Sequence, residues 1–107
     1  MAEISLVRID SRLIHGQVIT KWLKKCGANR IIIIDDALAG DSFMSQIAIM
    51  AAPKGIKLEI YSVEKAVEQY KENMFGIGKL LILFKDIPTC YEALSKGLHL
   101  QYIQLGG

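Results

Sequence analysis

The stretch Arg30-Ile31-Ile32-Ile33-Ile34, closed by Asp35-Asp36, decides the fold. A run of β-branched residues without polar alternation marks a strand buried on both faces, as in a parallel sheet. Parallel neighbours need crossover connections, usually helical. The flanking sequence supplies them. Upstream, Glu3 to Ile9 reads as a strand with partial alternation. From Gly16 to Lys25, Val18, Ile19, Trp22 and Leu23 recur at helical spacing, with Lys21, Lys24 and Lys25 opposite, and Gly27 as the stop. Downstream, Asp41 or Ser42 caps a helix to about Ala52, where Pro53 ends it. Lys57 to Tyr61 is a third strand. Ser62 caps a helix from Val63 to about Glu72, with Ala66, Val67 and Tyr70 on its inner face. Residues 73–78 turn, and Lys79 to Phe84 is a fourth buried strand. Asp86 and Pro88 start a helix to about Lys96. Leu100 to Leu105 reads as a fifth strand.

The pattern is therefore an α/β fold, a three-layer α/β/α arrangement around a mostly parallel central sheet. Residues 1–107 form one domain, and with 51% hydrophobic residues a core can be buried. A net charge of +2 argues against nucleic acid as a partner. No apolar run reaches the roughly 18 residues of a membrane span, and no signal peptide is legible. Cys26 and Cys90 stand apart without metal spacing and read as reduced thiols of a cytoplasmic protein. No G-x-G-x-x-G follows the first strand and there is no Walker loop, so no nucleotide cofactor is expected. Asp35-Asp36 resembles a metal pair, but adjacent aspartates after a buried strand more often end it and cap the next element. No metal is expected. His99 reads as an exposed loop residue, and Trp22 as core or interface.

In parallel sheets, ligands bind beyond the carboxyl ends of the strands, where the strand order switches. Asp10, Ser11, Arg12 and His15 follow the first strand there, just before the helix that Gly16 opens. Its first N–H groups lack internal partners and attract anions, and Gly16 lets a bulky group approach the backbone. Arg12 can pair bidentately with phosphate oxygens. A neutral imidazole is a nucleophile, and an ordinary His pKa leaves it mostly neutral at pH 7. Asp10 would hold the imidazole tautomer or order Arg12. These parts fit a transient phosphohistidine. Two other classes fit the same residues: a hydrolase or isomerase with His15 as general base, and a non-catalytic module binding an anion or a partner carboxylate. No second catalytic group is clearly matched to His15, which weakens the hydrolase reading.

The stretch Arg8-Ile-Asp-Ser-Arg-Leu-Ile-His15-Gly-Gln-Val resembles the active-site loop of the IIB components of the mannose/fructose/sorbose family of the bacterial sugar phosphotransferase system (PTS). The pattern R-x-D-x-R-[LF]-[IVL]-H-G-Q-[VI] is long and specific. The similarity continues through Trp22, Gly27-Ala28-Asn29, Ile34-Asp35-Asp36, Leu81-Ile-Leu-Phe84 and Leu105-Gly106-Gly107, essentially the whole chain. The resemblance implies a phosphohistidine–sugar phosphotransferase. A phosphorylated IIA component would pass its phosphoryl group to Nδ1 of His15. The group would then go to a sugar during import through the membrane components IIC and IID. Arg12 would bind the phosphoryl group, and Asp10, with Ser11 beside it, would support the loop. Backbone N–H groups of residues 12–16, that of Gly16 among them, would complete the cradle. Phe84-Lys85-Asp86, on the adjacent rim, would help to shape it. Family members run longer, with a further strand and helical segments after the glycine pair. A domain lacking these C-terminal elements would leave a sheet edge and apolar surface uncovered, favouring homo-oligomers. The sugar is not legible.

Overall fold

The computed structural model describes residues 2–13 and 16–106, with the backbone alone at 16–18. Five strands alternate with helices: β1 (Glu3–Ile9), α1 (Gly16–Cys26), β2 (Arg30–Ile34), α2 (Asp36–Ala39), α3 (Ser42–Met50), β3 (Lys57–Tyr61), α4 (Val63–Asn73), β4 (Lys79–Phe84), α5 (Ile87–Ser95) and β5 (Gln104–Leu105). The strands form one parallel sheet in the order β3-β2-β4-β1-β5.

Both faces of the sheet are covered, as the isoleucine run requires. Ile31 and Ile33 point to one face with Leu81, Leu83 and the α1 residues Ile19 and Leu23. Ile32 and Ile34 point to the other with Ile82, Phe84 and, from α4 and α5, Val63, Ala66, Val67, Cys90 and Ala93. All four isoleucines of β2 are fully buried, each worth about 1.5–3 kcal/mol of transfer from water. α1 and α3 thus lie on one face, α4 and α5 on the other.

Capping follows the sequence. Asp41, Ser62 and Asp86 accept from the main-chain N–H of Met44, Lys65 and Thr89. Gly27 lies at φ 70° and its N–H bonds the Leu23 carbonyl, ending α1. The aspartate pair caps two helices. Asp35 accepts from Leu38 N–H at 2.9 Å, and Asp36 accepts from Val63 N–H, the first of α4, at 2.8 Å.

Two elements depart from the sequence reading. The short helix α2 follows Asp35 directly. The aspartate pair was expected to end the strand and cap the next element, but a separate helix before Asp41 was not, and it forms because the Asp35 carboxylate satisfies the Leu38 N–H. The fifth strand spans two residues rather than Leu100 to Leu105. Leu100 and Ile103, three apart, both pack on the α4–α5 side of the core, which the two-residue period of a strand does not permit. α3 buries none of its residues, leaving Phe43 and Met50 72% and 81% exposed.

Candidate functional site

β1 and β4 are neighbours, yet the helices that follow them lie on opposite faces of the sheet. Their carboxyl ends therefore flank a crevice at which the chain order switches. The turn after β1 sits at this crevice. It is held there by the Asp10 N–H, which donates to the Phe84 carbonyl at 2.9 Å. The Leu13 N–H closes the turn on the Asp10 carbonyl at 3.0 Å, with Leu13 in the left-handed region at φ 51°. For a leucine that conformation costs about 1–2 kcal/mol, strain of the kind that collects at functional turns.

Asp10 is the hub. Its side chain is 4% exposed, and Arg12, at 38%, stands at the lip. Arg12 grips the carboxylate with two side-chain bonds, Nε to Oδ1 at 2.9 Å and Nη2 to Oδ2 at 2.8 Å, and its main-chain N–H adds a third at 3.0 Å. Arg8 approaches from inside, Nη2 to Oδ2 at 3.3 Å. These donors, the Arg12 side chain foremost, hold the Asp10 carboxyl well below its ordinary range against the opposing effect of burial. The same pairing raises the pKa of Arg12. The cluster of two guanidiniums and one carboxylate carries a surplus positive charge.

The sequence placed Asp10, Ser11 and Arg12 together, and the structure brings them together, with Ser11 exposed beside Arg12. Gly16 opens α1. His15 lies outside the described residues. Phe84 contributes its carbonyl, while its ring is fully buried on the α4–α5 side of the core. Lys85 is exposed next to it. Sequence reasoning assigned no role to Arg8 or Gln104. Arg8 donates to the Gln104 side-chain oxygen at 2.5 Å, and its guanidinium carbon sits 4.1 Å from the centre of the Trp22 ring. Part of the signal was present: Arg8 and Asp10 stand two apart at the end of β1, the spacing that puts side chains on one face of an extended chain. Among the described residues no group of His, Cys, Asp and Glu could hold a metal ion. Nor is any helix among them long and apolar enough to cross a membrane.

Residues 4–107 match the family described as the PTS system sorbose subfamily IIB component. The chain belongs to this family. It is 36% identical to the sorbose-specific EIIB component of Lacticaseibacillus casei over 97% of its own length and 63% of that protein's. It is 34% identical to part of the mannose-specific EIIAB component of Escherichia coli K12, covering 97% of this chain and 32% of that one. Among solved structures, manxB from Thermoanaerobacter tengcongensis superposes with a TM-score of 0.90 at 42% identity, covering all of this chain and 64% of that one. The IIBSor domain of the Klebsiella pneumoniae sorbose permease gives 0.89 at 36% identity, covering 98% and 64%. The IIB family assignment thus rests on sequence and fold alike. The relatives are longer, as expected, and this chain spans just under two thirds of the sorbose-type components.

Proposed function

We propose that this IIB chain is a cytoplasmic phosphocarrier of the sugar phosphotransferase system, with His15 as the residue phosphorylated. The observation that carries the reading is the Asp10–Arg12 pair. A bidentate guanidinium is fixed by a buried carboxylate at the lip of the switch-point crevice, three residues before His15 and four before the helix opened by Gly16. A phosphoryl group on His15 would meet Arg12 and the first N–H groups of α1, both suited to an anion.

The donor is a phosphorylated IIA component. Neutral Nδ1 of His15 attacks the phosphorus in line. A new P–N bond forms as the donor's breaks, and the electron pair of the broken bond returns to the donor imidazole. In the second transfer a sugar hydroxyl presented by IIC and IID attacks the phosphorus. The P–N bond to His15 breaks with its electron pair returning to the ring, and the hydroxyl proton passes to that ring or to water. The overall reaction is that of a phosphohistidine–sugar phosphotransferase. It asks of the protein positioning and charge stabilisation, which a shallow basic lip supplies.

The test is incubation with phosphoenolpyruvate, the general phosphotransferase proteins and a phosphorylated IIA partner, followed by mass spectrometry at neutral to alkaline pH. An acid-labile phosphate on His15, absent in His15→Ala, is expected. A folded chain that takes no phosphate from several IIA partners would overturn the reading and leave the anion-binding module in its place.

A further inference from the structure

Asp10 is paired with two arginines of different character. Arg12 is at the lip, more than a third exposed, and its only side-chain partner among the described residues is Asp10. Arg8 has a side chain 6% exposed and is held on every side. One end bonds Gln104, the other bonds Asp10, and the flat of the guanidinium lies on Trp22. Gly106 presses against the pair so closely that a Cβ there would fall 2.2 Å from Arg8 Nη2 and 2.7 Å from Asp10 Oδ2. Arg12 is open to solvent on one side, whereas Arg8 is packed on all of its sides.

This matters once a phosphoryl group arrives. It brings up to two negative charges and strong acceptor oxygens, which compete with the carboxylate for the Arg12 guanidinium. If Arg12 were the sole cation on Asp10, leaving would strand a carboxylate away from water, and unpaired buried charges are strongly disfavoured. Arg12 would then stay where it is. With Arg8 fixed behind the carboxylate, Asp10 keeps a counter-ion whatever Arg12 does.

We propose that Arg8 is a positioning residue of the transfer site: the immobile counter-ion of Asp10, which frees Arg12 to swing between that carboxylate and the phosphoryl group on His15. Trp22 and Gln104 serve by fixing Arg8. The proposal rests on the phosphocarrier reading and extends it. Arg8 touches no phosphoryl oxygen; it sets how readily Arg12 is released.

The discriminating experiment is a double-mutant cycle at Arg8 and Asp10, read as the equilibrium phosphorylated fraction of His15 against a phosphorylated IIA partner. Arg8→Met keeps the length and the contact with Trp22 but removes the charge, and it should lower the partition constant about tenfold. Arg8→Lys should fall between that variant and wild type. The double variant Arg8→Met/Asp10→Asn should recover most of the loss, because a neutral amide in place of the carboxylate no longer retains Arg12. A merely structural role for Arg8 predicts the opposite, since a second lesion in the same cluster would add to the first. In parallel, side-chain nitrogen NMR of wild type should show the Arg12 Nε–H resonance shifting on phosphorylation while that of Arg8 stays. An Arg8→Met protein that partitions like wild type would overturn the proposal. So would a double variant no better than Arg8→Met, or an unmoved Arg12 resonance. If Arg8→Met fails to fold, the resonances of the wild-type protein decide. A wild-type chain that accepts no phosphoryl group overturns the underlying reading instead, and that outcome is seen before any variant is made.

Discussion

The main-chain N–H of Asp10 donates to the carbonyl of Phe84, so the first strand enters its turn while still bonded to the end of the fourth. The ring of Phe84 anchors that end of β4 in the core. Phe84→Ala should cost about 3–5 kcal/mol in urea denaturation. The bond to Asp10 is made by the backbone, so the folded fraction of this variant should still accept phosphoryl groups.

Asp10 ties stability to acid. Its carboxyl titrates below its ordinary value of 3.8 when folded, chiefly through the Arg12 hydrogen bond. A depressed carboxyl pKa contributes stability that is complete above the unfolded value and fades as pH falls below it. Asp10→Asn should therefore melt below wild type at pH 7, and the gap should narrow steadily from about pH 4 downward. A gap that stayed constant with pH would rule this linkage out.

The opposite sign holds at Tyr61. Burial, and its hydrogen bond to Glu59 at 2.5 Å, push the phenol up to about 12. Arg30 completes the cluster, bonding Glu59 through Nε at 2.9 Å and Nη2 at 2.6 Å, and the carbonyl of Phe75 at 2.6 Å. A raised phenol pKa contributes stability below its unfolded value near 10, lost as pH climbs through 12. The difference in phenolate absorbance between wild type and Tyr61→Phe should rise near pH 12. At pH 7, Tyr61→Phe should cost about 1 kcal/mol.

Arg12→Ala should leave the far-ultraviolet circular dichroism unchanged, since Arg8 still neutralises Asp10. The initial rate of phosphoryl acceptance from a IIA partner should fall about a hundredfold, a magnitude typical of losing one charge-stabilising donor. A rate matching wild type would show that Arg12 is not the clamp.

Gly106→Ala places a methyl group against the Arg8–Asp10 pair. Displacing two paired buried charges should destabilise the domain by about 1–3 kcal/mol. Because Arg8 is dislodged, the phosphorylated fraction should drop in the same direction as in Arg8→Met.

The isoleucine run of β2 and the alternation of capped helices made the parallel sheet legible from the residues, because burial on two faces leaves a compositional mark. The pairing of Asp10 with Arg12 was legible as one of two roles for that carboxylate, the other being to hold the His15 tautomer, because a strand end places the two charges within reach of each other. What escaped depended on residues far apart in the chain. Nothing local in Gln104 announces that it receives Arg8, and nothing local in Leu100 to Ile103 announces that two side chains of one face are three positions apart. The helix after Asp35 escaped because four residues carry too little periodicity to count.

The bond between Arg8 and Gln104 closes a separation of 96 positions. Loops of that length form late, after local helices and neighbouring strands. A chain emerging from the ribosome displays the turn after β1 long before residues 104 to 106 are made, and the support for that turn arrives only when they have docked. The Arg8–Asp10–Arg12 geometry is thus a product of completed folding: a half-made domain carries these residues in sequence without the support of Gln104 and Gly106.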